Sequence, residues 1–176
     1  HESSPCKRGA SLKLQNKCPN YIASQYYGES DKGKIINGYR NENLESQTFK
    51  DESFDLVITQ DVMEHIFNPQ SAFREIARTL KPGGAHIFTV PLINKERTTE
   101  CWAKLDDNNN IIFLKEKEYH GNPINPKGSP VTFHYGYDIV DLIYKSSGMV
   151  TQIFTIDNVD LGIRAEYIDV LISRKI

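Results

Sequence analysis

Between Phe49 and Leu92 the spacing of apolar positions changes period twice. Phe54-Asp55-Leu56-Val57-Ile58-Thr59 is short, apolar and β-branched, which predicts a strand buried on both faces. Asn68-Pro69 predicts a helix start, and Ala72, Phe73, Ile76, Ala77 and Leu80 then recur along one side at helical spacing. Lys81-Pro82-Gly83-Gly84 predicts the helix end, with Gly supplying left-handed backbone and Pro forbidding continuation. Ala85 to Val90 predicts the next strand. Strand, crossover helix and strand make a right-handed, parallel βαβ unit. Ligands of open α/β sheets bind beyond the carboxyl ends of the strands. Gln60, Asp61, Glu64 and His65 follow the first of these strands, so they mark a ligand-binding rim.

The flanks extend the same pattern. Arg8 to Asn16 predicts a short helix with Leu12 and Leu14 partly buried, and Asn20 to Tyr27 predicts a strand. Gly28 to Gly38 is polar and turn-like. Residues 95–130 are the least regular part, with the turn-forming run Asp106 to Asn110 and the prolines Pro123, Pro126 and Pro130. They read as an insertion on the ligand edge of the sheet, with a short hairpin strand at Ile111 to Lys115. Helical spacing resumes through Ile139, Val140, Leu142 and Ile143 and stops at Gly148. Met149 to Ile156 and Tyr167 to Ser173 predict two strands pairing as an antiparallel hairpin at one sheet edge. The expected architecture is one α/β domain over residues 1–176, of about six strands in three layers.

Composition narrows the class. Hydrophobic residues make up 39% and charged residues 25% of the 176, a globular balance. A net charge of −2 gives no electrostatic case for nucleic acid or an anionic membrane. No apolar run reaches the roughly 20 residues of a membrane helix. Three cysteines without CxxC spacing suggest neither a disulfide framework nor a zinc site, and a cytoplasmic setting is the default expectation. His1-Glu2-Ser3-Ser4-Pro5 reads as the tail of a strand entering a loop, as in a fragment or a chain trimmed to its ordered part.

The run Asn43-Leu44-Glu45, Phe49-x-Asp51-x-Ser53-Phe54-Asp55-Leu56-Val57, Glu64-His65 and Glu75-x-x-Arg78-x-Leu80-Lys81-Pro82-Gly83-Gly84 resembles the class I S-adenosylmethionine-dependent methyltransferases, most closely their type 11 branch. The resemblance implies a Rossmann-like three-layer sandwich, mostly parallel with an antiparallel last strand, whose first strand is missing or truncated here. It also implies S-adenosylmethionine as cofactor. Where the family carries a glycine-rich loop, this chain has Glu2-Ser3-Ser4-Pro5-Cys6-Lys7-Arg8-Gly9, with a single glycine. By the same resemblance Glu2 takes the cofactor's amino-acid end and Ser3 and Ser4 offer backbone N–H groups. Ser24 or Gln25 takes the ribose in place of the usual acid, without charge assistance. Asn43 and Leu44 take the adenine, and the backbone at Gln60 and Asp61 passes close to the methionine moiety. The competing readings are a turn for Asn43 and a helix N-cap for Asp61.

His65, His120 and His134 are the candidate catalytic residues, since imidazole titrates near neutrality and can take a proton from an acceptor hydroxyl or amine. For Glu64-His65 the resemblance implies mainly structure and site shape. The histidines have no recognised ligand spacing, so no metal is expected. The leading functional expectation is methyl transfer to a small molecule such as a saccharide or lipid-linked metabolite, with residues 95–130 as a lid. The alternative is a methyltransferase-like interaction module without catalytic use, favoured by the altered loop and by Ser24-Gln25. A Rossmann-type dehydrogenase ranks last because GxGxxG is absent.

Overall fold

A computed structural model describes residues 1–6, 8–122 and 124–176, so Lys7 and Pro123 lie outside the described residues. In chain order the strands are β1 (Glu2–Ser3), β2 (Ala23–Gln25), β3 (Ile35–Ile36), β4 (Tyr39–Asn41), β5 (Phe54–Gln60), β6 (Leu80–Thr89), β7 (Glu100–Cys101), β8 (Ala103–Leu105), β9 (Ile111–Phe113), β10 (Tyr119–His120), β11 (Ser129–Pro130), β12 (Phe133–His134), β13 (Val150–Thr155) and β14 (Asp169–Arg174). The helices are α1 (Gly9–Lys17), α2 (Pro69–Thr79) and α3 (Ile139–Ser147), with one-turn 3₁₀ segments at Met63–His65 and Val159–Leu161.

Eight strands form the main sheet in the order β13-β14-β6-β5-β1-β2-β4-β3. From β6 through β4 neighbouring strands run parallel, and β14 returns antiparallel between β6 and β13. This is the expected Rossmann-like α/β sheet with its antiparallel terminal hairpin. The first strand is present, as two residues: Glu2 pairs with Ala23 on one side and Ile58 on the other. Its central place brings the carboxyl ends of β1, β2 and β5 together.

Tertiary context overrides several local expectations. The strand expected over Asn20 to Tyr27 is only Ala23–Gln25, and the loop expected after it contains β3, which folds back on β4. Along α1 only Ser11 is buried, and Leu12 is exposed, so this helix contributes little to the core. After the irregularity between Phe54 and Leu56, Val57 and Thr59 of β5 are buried while Leu56, Ile58 and Gln60 are half-buried, so one face of that strand is better covered than the other.

Helix α2 starts as expected, with Asn68 Oδ1 accepting from Ser71 N at 3.0 Å. It ends earlier, at an extended Leu80, and the glycines do not cap it. Gly83 (φ +79°) and Gly84 instead belong to an irregular start of β6, where a Cβ on Gly84 would stand 2.9 Å from the Lys81 carbonyl oxygen and 3.1 Å from that of Asp55. Gly148 does end α3, at φ +72°.

The core lies where α2 and α3 pack on each other and on the sheet. Phe73, Ile76, Met63, Leu80, Phe88 and Ile143 are fully or almost fully buried there. Each side chain of this size contributes about 1.5–3 kcal/mol by leaving water. Arg78 ties α2 to the chain before β5: it donates to Glu75, to Asp51 and to the carbonyls of Phe49 and Gln47. The described residues between 95 and 130 hold five short strands: β8 pairs with β9, which lies at Ile111–Phe113 within the expected hairpin strand, β10 pairs with β11, and β7 pairs with β12 beyond the insertion. No helix among the described residues is long and apolar enough to cross a membrane.

Candidate active site

The rim formed by the ends of β1, β2 and β5 is fixed from below by Glu2. Its carboxylate is buried, and it accepts from Ser11 Oγ (2.6 Å) and Gln60 Nε2 (2.7 Å) on one oxygen and from Tyr21 OH (2.7 Å) on the other. Burial, and then the Glu2 carboxylate, push the Tyr21 phenol well above its usual range. Glu2 therefore joins α1, the segment before β2 and the end of β5. Both of its carboxylate oxygens are thus engaged within the protein.

Above this anchor lies a cavity of about 570 Å³. Cys6 and Arg8 of the loop after β1, Gln25 and Tyr27 at the end of β2, Tyr39 of β4 and Ile124 of the insertion face it. Asn41, fully buried, holds the Tyr27 stretch: its Oδ1 accepts from Tyr27 N at 2.9 Å, and its Nδ2 donates to the carbonyls of Gly28 and Ser30. A volume of this size with aromatic walls and a few convergent polar groups suits a small-molecule site.

The sequence-derived candidates divide here. Gln25 lines the cavity, whereas its neighbour Ser24 is buried and bonds His1 Nε2 at 2.7 Å. Ser3 is buried within β1, and Ser4 stands at φ +55° with its N–H donating to the Ser24 carbonyl. Asn43 and Leu44 do not line the cavity. Asn43 Oδ1 accepts from Glu45 N at 2.8 Å and its Nδ2 donates to Glu29 at 2.6 Å, while Leu44 sits in the core. The turn reading of Asn43 thus describes its contacts.

Asp61, at φ +51°, accepts from Thr89 Oγ1 at 2.9 Å, and it does not cap the 3₁₀ turn, whose flanking residue is Val62. Gln60 bonds Glu2 and Ser11. Cys6 and Arg8 belong to the loop read as standing in the glycine-rich loop's place, whereas Tyr27, Tyr39 and the positioning residue Asn41 went unread in the sequence, because only the pairing of β2, β3 and β4 brings them to one place.

The three histidines do meet. The turn Met63–His65 follows β5, and residues 130–135 are stitched across it: Thr132 donates to the carbonyls of Glu64 and Ile66, and Tyr135 OH donates to that of Met63. His65 Nδ1 lies 2.8 Å from the Pro130 carbonyl oxygen. His120 and His134 both engage Glu118, at 3.2 and 2.8 Å, and Trp102 stacks on His134 with ring centroids 3.7 Å apart. The buried Glu64 carboxylate stands 3.6 Å from His120 Nδ1 and 3.7 Å from His65 Nε2. It, and then Glu118, hold the His120 imidazole above its usual value against desolvation. Asp138, also near these residues in sequence, is occupied with Thr99. The β10–β11 ribbon connects the two regions, since its tip supplies Ile124 to the cavity and its base supplies His120.

The methyltransferase domain family model, type 11, matches residues 18–88. Solved structures with the same fold include an S-adenosylmethionine-dependent methyltransferase of Mesorhizobium loti, 15% identical with a TM-score of 0.52 over 88% of this chain and 80% of that one. Another is from Methanosarcina mazei, 12% identical with a TM-score of 0.53, covering 99% of this chain and 90% of that one. A methyltransferase of Haloferax volcanii, solved with the activator Trm112, is 14% identical with a TM-score of 0.53, covering 93% of this chain and 76% of that one. At these identities the likeness is one of fold. A sequence search among curated proteins gives no significant match. The matched segment spans β2 to β6, less than half of the chain, so that stretch is similar to the methyltransferase domain, and the sheet as a whole has the fold of the S-adenosylmethionine-dependent methyltransferases.

Proposed function

We propose that the acceptor is a hydroxyl-bearing small molecule, such as a saccharide or lipid-linked metabolite, bound between the cavity and the histidine cluster. The observation that carries this reading is the cavity at the ends of β1 and β2, which shares the β10–β11 ribbon with that cluster. The cavity's donors suit the cofactor. Arg8 offers a guanidinium to a carboxylate, Gln25 offers an amide to a ribose diol, and the Tyr27 and Tyr39 rings offer faces to an adenine. When bound, S-adenosylmethionine supplies an electrophilic methyl carbon, and holding a nucleophile in line with it accounts for much of the rate.

The chain's own part is to orient the acceptor, exclude water and receive a proton. Residues 95–130 serve as the lid, and the proton of the acceptor hydroxyl passes to His134, whose imidazole is held between Trp102 and Glu118. Calorimetry with S-adenosylmethionine and its demethylated product, followed by a methyl-transfer screen over sugars, glycolipids and, as a contrast, proteins and RNA, tests this reading. Micromolar cofactor binding with transfer to a hydroxyl compound is expected. Transfer confined to protein or RNA would overturn the acceptor class. Absent cofactor binding at millimolar ligand would leave the interaction-module alternative.

A further inference from the structure

We infer that Glu64, His65 and His120 hold a divalent cation of the zinc class. Their ligating atoms all lie within 4.8 Å of one another. Ligands about 2.0–2.1 Å from a shared tetrahedral ion stand about 3.3 Å apart, so the 3.6 and 3.7 Å separations of the Glu64 oxygen from the two nitrogens need only a small inward shift.

The hydrogen bonds around the cluster point the same way. The Pro130 carbonyl can only accept, so His65 donates from Nδ1 and its Nε2 lone pair faces Glu64. The Glu118 carboxylate accepts, so His120 donates to it from Nε2, and in the neutral ring its Nδ1 lone pair faces Glu64 as well. Each imidazole is thus steered by an outer partner, a carbonyl or a carboxylate, in the manner of metal-ligating histidines. At the centre sits a carboxylate that is only 2% exposed and whose two oxygens have no hydrogen-bond partner. An orphaned buried carboxylate facing two lone pairs is an unfavourable arrangement that a cation between them resolves.

Two nitrogens and one oxygen suit zinc better than magnesium or calcium, which favour all-oxygen shells. Three protein ligands leave a fourth position for water or a hydroxyl oxygen. On the methyl-transfer reading above, that position gives an acceptor hydroxyl a lowered pKa. The spacing 64, 65 and 120 matches no sequence pattern for such a site, and only the insertion brings His120 to the turn after β5.

The test is uptake of Zn²⁺ by chelator-stripped protein, read in competition with a chromophoric chelator, with Co²⁺ absorption reporting the geometry. One ion per chain, a tetrahedral Co²⁺ spectrum, and at least tenfold weaker uptake in Glu64→Gln and His120→Ala are expected. In both variants circular dichroism should show a retained fold. No stoichiometric uptake, or equal uptake in both folded variants, would overturn the site and leave Glu64 with the two imidazoles as its only neighbours of this kind among the described residues. Cofactor calorimetry on the metal-free protein reads the cavity independently, so loss of the metal site and loss of the methyl-transfer reading remain distinguishable.

Discussion

Ser24 and Gln25 are neighbours whose side chains leave opposite faces of β2, and that alternation decides which of them meets a ligand. Gln25→Ala should weaken binding of the demethylated cofactor product about tenfold, a change of about 1.4 kcal/mol, measured by calorimetry. Asn43→Ala should change it less than twofold, because that amide is spent on Glu45 and Glu29. A large loss in Asn43→Ala with none in Gln25→Ala would place the cofactor elsewhere on the rim. Residue identity alone could not separate these cases. Asn43 sits where the family resemblance puts an adenine ligand, and its diversion depends on Glu29, a residue from the loop after β2.

At the scale of elements, legibility followed locality. The βαβ unit from β5 to β6, the N-cap at Asn68, the terminal hairpin and the stop at Gly148 all rest on signals within a few residues, and each was legible, although the Lys81 to Gly84 run opens β6 and does not close α2. Elements set by distant partners were harder to read. β1 is only two residues, held by strands on both sides, and β3 exists because it pairs back on β4. The histidine cluster was half legible: its imidazoles stood out as candidates, but Glu118 and Trp102 did not, since neither lies in a motif. Two elements give stability tests. Asn68→Ala should lower stability by about 1 kcal/mol through the lost cap on α2. Arg78→Ala should lower it by about 2 kcal/mol, because several partners of a partly buried guanidinium are left unmatched. Urea midpoints at unchanged m-value would check both.

At the scale of the molecule, one contributor to acid sensitivity, beside carboxylates such as Glu75 that Arg78 holds below their usual range, sits within the sheet. His86, on β6, is fully buried, and burial pulls its pKa down to about 3. The folded protein therefore keeps this imidazole neutral, while the unfolded chain protonates it near 6.5. Between those values the unfolded state binds more protons, so the contribution is complete above about pH 6.5 and declines as pH falls toward 3. The decline approaches about 1.4 kcal/mol per pH unit. His86→Gln preserves a hydrogen-bonding partner for Thr59, which now lies 3.0 Å from the ring nitrogen, and it removes the titration. Stability measured from pH 7 to 4 should fall less steeply in that variant; an unchanged slope would assign the acid limb to other groups.

The buried carboxylate of Glu2 has one more implication. Loops that wrap a nucleotide-like ligand commonly rely on glycine so that naked main chain can come close. Here three donors from three separate elements lock the strand end that launches the loop, with no ligand required. Ser4, Pro5 and Cys6 therefore leave from a strand end whose direction is dictated by what lies underneath it. A fixed launching point of this kind lowers what binding must order, and Arg8 on the cavity wall contributes a charge where glycine would contribute none.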